Sequence, residues 1–238
     1  MSLQARAVVK RFGGVTALGG VDLQLDDGEI LGLIGPNGSG KTTLVNCISG
    51  VLQIDGGAVS LHGRDISKAS RMRRAKAGLA RTFQNLKLFG ELTVQENVSV
   101  GVNAAGGRGD GGKAAVAAQI ERLGLQPFER TVVGSLPYGH QRRVELARAL
   151  VGEPSVLLLD EPAAGLNDSE TAELLELLQE VRRERQISIL LIDHDMNLML
   201  AASDRIQVLD DGKVIFEGPP QEAFRQQHVV EAYLGSAP

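Results

Sequence analysis

Residues Glu29–Thr43 read EILGLIGPNGSGKTT, and the fold is decided here. Glu29–Ile34 is almost unbroken apolar character, which predicts a strand buried on both faces, as in a parallel sheet covered on either side. The run breaks at Gly35, and a helix is predicted over Lys41–Ser49. The break, Gly35–Thr43, matches G-x-x-x-x-G-K-[ST] with a strand before it and a helix after it, the context in which that pattern cradles phosphate. The residue types have a chemical reason. Gly35, Gly38 and Gly40, with Asn37 and Ser39 between them, let backbone N–H groups converge on phosphate oxygens without a Cβ in the way. The following helix, opening on Lys41, Thr42 and Thr43, adds its unpaired N–H groups and its dipole. Lys41 sets a point charge on the β- and γ-phosphates, and the Thr42 hydroxyl is placed to ligate Mg2+.

Upstream, Ala7–Lys10 and Gly20–Leu25 predict short strands, the second turned at Asp26-Asp27-Gly28, and Ala58–His62 predicts another before a turn at Gly63-Arg64. Downstream, Thr93 to Val151 reads as helical around one composition shift, Gly101–Lys113 (GVNAAGGRGDGGK), expected to be a mobile glycine-rich loop. The alternation then resumes. Val156–Leu159, Ile187–Ile192 and Ile206–Leu209 predict strands, and Ser169–Arg183 an amphipathic helix. Strands alternating with helices imply an α/β fold with a mainly parallel sheet, here with a small antiparallel part and an inserted helical subdomain. The expected organisation is one domain over 1–238, with a core of 1–84 and 155–238 and a helical subdomain over 85–154, its boundaries near Gln84 and Pro154.

Two further strand ends carry chemistry. In SVLLLDEP (Ser155–Pro162) four apolar residues end in two acids. In an open α/β sheet the ligand lies beyond the carboxyl ends of the strands, so Asp160 is expected to hold Mg2+ through water and Glu161 to act as general base on the attacking water. ILLIDHD (Ile189–Asp195) repeats the pattern and ends near His194, readable as a γ-phosphate contact or as a satisfied polar residue.

Composition excludes several classes. With 43% apolar and 23% charged residues among 238, the chain reads as a globular protein with a sizeable core. Glycine, 29 residues, is about 12% against a usual ~7%, and many of these lie beside the phosphate-type motifs rather than in repeats. The one cysteine, Cys47, permits no internal disulfide and points to a reducing compartment. No apolar run approaches the roughly 20 residues of a membrane span, and MSLQARAVVKRFGG lacks the apolar centre of a secretory signal. A net charge of −4 gives no drive toward nucleic acid.

LPYGHQRRVELARAL (Leu136–Leu150), lying between the phosphate loop and the acids, resembles the signature motif and helix of the ABC ATPases. Val144, Ala147, Leu150 and Val151 share a face that Arg142, Arg143 and Glu145 do not. The resemblance covers nearly the whole chain and identifies it as a P-loop NTPase of that family, with ATP and Mg2+ implied. Phe12 sits where the family has an aromatic that stacks on adenine, although a hydrophobic plug is an equal reading. Gln84, in RTFQNLKLF, takes the glutamine-loop position, with implied roles in catalysis and at the metal; AAGLND follows Glu161, and His194 takes the switch-histidine position. A head-to-tail dimer is implied, as a homodimer or with a related ATPase, in which Tyr138 and Gly139 meet the partner's ATP. Two transmembrane permease subunits are implied above it, a solute-binding protein beyond them, and a peripheral location on the cytoplasmic face of the inner membrane.

RTFQNLKLFGELTVQENV, VVEAYLG and the LPYG form resemble the ATPases of branched-chain amino acid importers, the larger of their two types. Urea and amide importers share much of this, and a lipid exporter or an ABC ATPase without membrane partners are further alternatives. A GTPase would carry N-K-x-D, which is absent. Where the usual signature is LSGGQ, this chain places Pro137 at the serine and His140 at the glutamine, while Asn167 replaces a frequent aspartate; all three bear on coupling between subunits. Leu86, Leu88, Phe89 and Leu92 form either a groove for a membrane-subunit helix or ordinary packing. Arg71, Arg73, Arg74 and Lys76 read as a solvated helix face, Met196 and Met199 with Leu200 as core, and Cys47 as a small buried residue.

Overall fold

In the computed structural model, which describes residues 1–105, 110–223 and 225–234, two sheets share the core. β1 (Leu3–Phe12) and β2 (Val15–Leu25) form a hairpin. After β3 (Ile30–Ile34) and α1 (Lys41–Ser49) the chain returns as β4 (Gly56–Leu61) and β5 (Arg64–Asp65), completing an antiparallel sheet in the order β2-β1-β4-β5. A short helix, α2 (Arg71–Lys76), leads into β6 (Leu79–Arg81). Three helices follow, α3 (Val94–Ala105), α4 (Asp110–Arg122) and α5 (Tyr138–Leu150), before the chain re-enters the sheet as β7 (Val156–Asp160). Then come α6 (Asp168–Arg185), β8 (Ser188–Ile192), α7 (Met196–Ala202), β9 (Arg205–Asp210), β10 (Lys213–Gly218), α8 (Pro220–Ala223) and α9 (Gln227–Leu234).

The second sheet runs β10-β9-β3-β8-β7-β6; every pair is parallel except β9 with β10. All residues of β3, β7 and β8 are buried, so both faces of these strands carry core. The period of two divides them. Ile30, Ile34, Leu157, Leu159, Ile189 and Leu191 pack with α5 and α6, whereas Leu31, Leu33, Val156, Leu158, Leu190 and Ile192 pack against α1 and the antiparallel sheet. Gly32 sits on the first face because a Cβ there would meet Met199 Cε at 2.6 Å and Ser203 Oγ at 2.7 Å, so α7 lies directly on the strand.

Several expectations need correction. Helix α3 runs on to Ala105 and α4 begins at Asp110, so Gly101–Lys113 is not a loop throughout; residues 106–109, within that stretch, lie outside the described residues, as does Gly235 of VVEAYLG. β6 and β10 were not foreseen: β6 is three residues long, and the half-buried β10 has an apolar run of only three, Val214–Phe216. Arg74 is not on a solvated face. Only 2% exposed, it donates to Cys47 O at 2.8 Å, to Ile48 O and to Ser67 O at 2.9 Å, and so caps the carbonyl end of α1. Of the methionine pair only Met199 is fully buried; Met196 and Leu200 are half-buried. Cys47 is buried, which pushes its thiol up to about 11.

Candidate active site

Three neighbouring strands, β3, β8 and β7, end on the same edge, and each end carries a motif. Beyond β3 the chain turns through Gly35–Gly40 into α1. Lys41 Nζ folds back over that loop, donating to Gly35 O at 2.6 Å and Pro36 O at 2.9 Å, with Ser39 Oγ at 3.4 Å. Burial lowers the Lys41 pKa, while the Glu161 and Asp160 carboxylates pull it the other way. Both acids therefore act on the lysine electrostatically. Thr42 and Asn37 are exposed, Thr43 is half-buried and Ser39 is buried.

The glycines divide by purpose. A Cβ on Gly38 would point into open space, which leaves a bare backbone on the side where a phosphate would lie. Gly40 caps α1 at φ 104°, and a Cβ there would come within 2.8 Å of Ala17 O; one on Gly35 would strike Leu209 O at 2.0 Å. These two glycines thus let the loop press against β2 and β9, a packing demand rather than a ligand demand. From Ala17 the hairpin continues for two residues, ~7 Å, to the turn pairing Phe12 with Val15. Phe12 is half-exposed there, with Lys10 Nζ 5.5 Å from its ring centre. Tyr233 of α9 also approaches this loop. Burial pushes its phenol up to about 12, against a hydrogen bond with the Gly35 main chain.

Glu161 follows β7 in the left-handed region, φ 48°, and its N–H donates to Ile192 O at 2.7 Å, so the turns after β7 and β8 are tied together. Its Oε2 accepts from Gln84 Nε2 at 2.9 Å and lies 3.9 Å from His194 Nδ1. His194 itself is 74% exposed and is held at its base, where Asp193 Oδ1 accepts from the main chain of His194 and Asp195 at 2.8 and 3.0 Å. The other oxygen of Asp193, Oδ2, is buried without a hydrogen-bond partner among the described residues.

Asp160 is nearly buried, and its Oδ2 accepts from Arg81 Nη2 at 2.9 Å; their side chains are 7% and 8% exposed. Arg81 also donates to Asn46 Oδ1 at 2.7 Å and Ser49 Oγ at 2.8 Å, joining β6, β7 and α1. A lone arginine in RTFQ gave no sequence signal for this pairing.

Tyr138 and Gly139 make no hydrogen bond to this chain's phosphate loop among the described residues; they lean the other way. The Tyr138 ring sits 3.0 Å from where a Gly165 Cβ would be, and Glu170 Oε1 2.5 Å from where a Gly139 Cβ would be. Pro137 occupies the N-cap of α5, which has no side-chain cap. Asn167 caps α6 in a reciprocal box with Glu170, at 2.9 and 3.0 Å. His140 stacks edge-on against Phe128, centroids 4.6 Å apart.

Two buried charges on α5 were read only as off its apolar face. Arg142 and Glu145 pair at 3.1 Å, with side chains 6% and 3% exposed. Burial pushes the Glu145 carboxyl up, against Arg142 and the Phe83 N–H, which hold it down. Nearby, a groove of about 360 Å³ is lined by Phe83, Phe89, Lys87, Glu145 and Arg148, with Phe89 about half-exposed. Leu88 is half-buried against the main core, and no helix among the described residues is long and apolar enough to cross a membrane.

The site residues fit a nucleoside triphosphate with its cation. The bare Gly38 backbone and the start of α1 offer N–H groups, Lys41 offers charge, and Asp160 keeps Oδ1 without a protein hydrogen bond among the described residues. Comparison with known proteins agrees with that chemistry. The model of the ABC transporter family matches residues 18–164. The branched-chain amino acid transport ATP-binding protein LivG of Salmonella typhimurium is 40% identical over 250 residues, covering 99% of this chain and 98% of its own. A nucleotide-free ATP-binding cassette from an ABC transporter superposes with a TM-score of 0.91 at 29% identity, over 99% of both chains. The dimeric post-hydrolysis cassette MJ0796, bound to ADP and Pi, gives 0.81 at 26%, over 92% of this chain and 98% of that one.

Proposed function

The chain belongs to the ABC transporter family, and on that premise we propose that it is the ATP-hydrolysing subunit of an importer for branched-chain amino acids. The observation that supports the reading most is the convergence at adjacent strand ends of Lys41, Glu161 and His194, with Gln84 already bonded to Glu161. The cargo rests on the likeness to LivG across nearly the full length of both chains.

In this reading the bare loop Gly35–Gly40 and the first turn of α1 hold the phosphates, and Lys41 leaves its carbonyls to meet the β- and γ-groups. Phe12 flanks the base. Thr42, Gln84 and Asp160 would hold Mg2+, which when bound would neutralise the phosphate charge. Glu161 accepts a proton from water as the water oxygen attacks the γ-phosphorus, and the bond to the β–γ bridging oxygen breaks, giving ADP and phosphate. Gln84 engages Oε2 of Glu161, which leaves Oε1 for the water. His194, free to swing, contacts the γ-phosphate.

Residues 1–84 and 155–238 form the nucleotide-binding core and 85–154 the helical subdomain, a division supported by β6 ending at Arg81 and β7 beginning at Val156. The uncapped start of α5, with Tyr138 and Gly139, supports an anion site for the ATP of a partner, either a second copy or a related ATPase. Two permease subunits dock at the groove beside Phe89, fed by a solute-binding protein. The subunit sits peripherally on the cytoplasmic face of the inner membrane and takes no nucleic acid.

The test is Glu161→Gln. It is expected to bind ATP normally, to hydrolyse it at least ~100-fold more slowly, and to run as a persistent dimer in ATP on gel filtration. Turnover at the wild-type rate removes Glu161 as the base.

A further inference from the structure

We propose that Arg142, paired with Glu145, is a positioning residue that locks the main chain of Gln84 to the main chain of Glu161 and so aims both side chains. The inference rests on the proposed roles of Gln84 and Glu161 in hydrolysis.

The pair is buried deeply enough that two charges there need a compensating use, because apolar residues of similar volume would serve stability as well or better. That use is visible in its bonds. Arg142 Nη1 donates to Phe83 O at 3.0 Å as well as to Glu145; Nη2 donates to Gln84 O at 2.9 Å and to Glu161 O at 3.2 Å. Glu145 Oε1 accepts from the Phe83 N–H at 3.3 Å. Phe83 is therefore held by both its N–H and its C=O. A closed ring results: Arg142 to the Gln84 carbonyl, the Gln84 amide to Glu161 Oε2, and the Glu161 carbonyl back to Arg142.

Glu161 needs such a hold. Its φ of 48° is a conformation that a non-glycine residue keeps only when its surroundings impose it. Ile192 O fixes its N–H and Arg142 fixes its C=O, one from either side of the residue. Phe83 and Glu145 also line the groove beside Phe89. A partner pressing on that groove bears on the same Phe83 peptide, one residue from Gln84 and one guanidinium from Glu161.

The experiment compares three variants of the full chain. Arg142→Met with Glu145→Met removes both charges at once, so no lone buried charge is left to unfold the protein. Arg142→Lys keeps the charge without the fork, and Arg143→Met is the neighbouring control. The double variant is expected to keep its urea midpoint and its KM for ATP within about twofold, while kcat falls by roughly 10-fold or more. Amide exchange across Phe83–Gln84 should accelerate, and removing the two charges from a Glu161→Gln background should produce no fall in kcat beyond that of Glu161→Gln alone. Arg142→Lys should lie between, and Arg143→Met should match the wild type. A double variant with wild-type kcat and unchanged exchange at Phe83–Gln84 overturns the clamp; if that variant does not fold, wild-type kcat in Arg142→Lys overturns it instead. A wild-type protein that hydrolyses no ATP removes the functional reading, and exchange at Phe83–Gln84 still decides the clamp: faster in the charge-free variant upholds it, unchanged overturns it.

Discussion

Replacing Arg81 with methionine isolates what the Asp160 carboxylate needs in the folded subunit. The side chains of Arg81 and Asp160 are 8% and 7% exposed and bonded at 2.9 Å, so removing the cation leaves a carboxylate that water can hardly reach. Breaking a buried pair on one side costs about 3–5 kcal/mol, against at most ~1 kcal/mol for an exposed pair. Arg81 also holds Asn46 and Ser49 of α1, which places the loss toward the upper end. For a chain of this size, where 1 kcal/mol moves the midpoint by roughly 2–4 °C, that corresponds to about 6–20 °C. The assay is urea and thermal unfolding followed by circular dichroism, with Arg143→Met as an internal reference. Arg143 pairs with Glu173, but their side chains are 37% and 52% exposed, so that variant should lose no more than ~1 kcal/mol. Adding Asp160→Asn to Arg81→Met should recover part of the loss, since the stranded charge is gone. Equal costs for Arg81→Met and Arg143→Met, or no recovery in the double variant, refute the reasoning.

Two further outcomes test the coupling surfaces. Pro137 brings neither a hydroxyl nor an N–H to the start of α5, so Pro137→Ser should leave ATP turnover unchanged or raise it; a large fall in steady-state hydrolysis contradicts this. Leu88 packs half-buried on the core between Lys87 and Phe89, which line the groove, and Leu88→Gln should reduce co-purification of membrane subunits while the isolated subunit still hydrolyses ATP; undiminished co-purification removes the docking role.

What the sequence made legible was whatever repeats or alternates. β3, β7 and β8 are continuous apolar runs, and their motifs sit at their carboxyl ends because a parallel sheet puts all those ends on one edge. The bounds of α1 were readable as Lys41–Ser49, and the structure sets Gly40 and Gly50, both in left-handed conformations, at its two ends. Arg142, Glu145, Arg74 and Arg81 were opaque for a common reason. Each is a charge with at least one partner far along the chain: main-chain carbonyls for Arg74 and Arg142, the Phe83 N–H for Glu145 and the Asp160 carboxylate for Arg81. No spacing rule distinguishes a buried guanidinium of that kind from a solvated one. Gly35 and Gly40 were readable as loop glycines, but their contacts with Leu209 and Ala17 belong to tertiary packing.

The central claim is that ATP bound at Lys41 drives import of branched-chain amino acids, and solute uptake tests it most directly. Cells carrying Lys41→Ala in place of the wild-type residue are given labelled leucine, isoleucine, valine and urea. Selective loss of the three amino acids is the expected result. Loss of urea uptake alone contradicts the cargo while keeping the motor, and four unchanged uptakes contradict the importer itself.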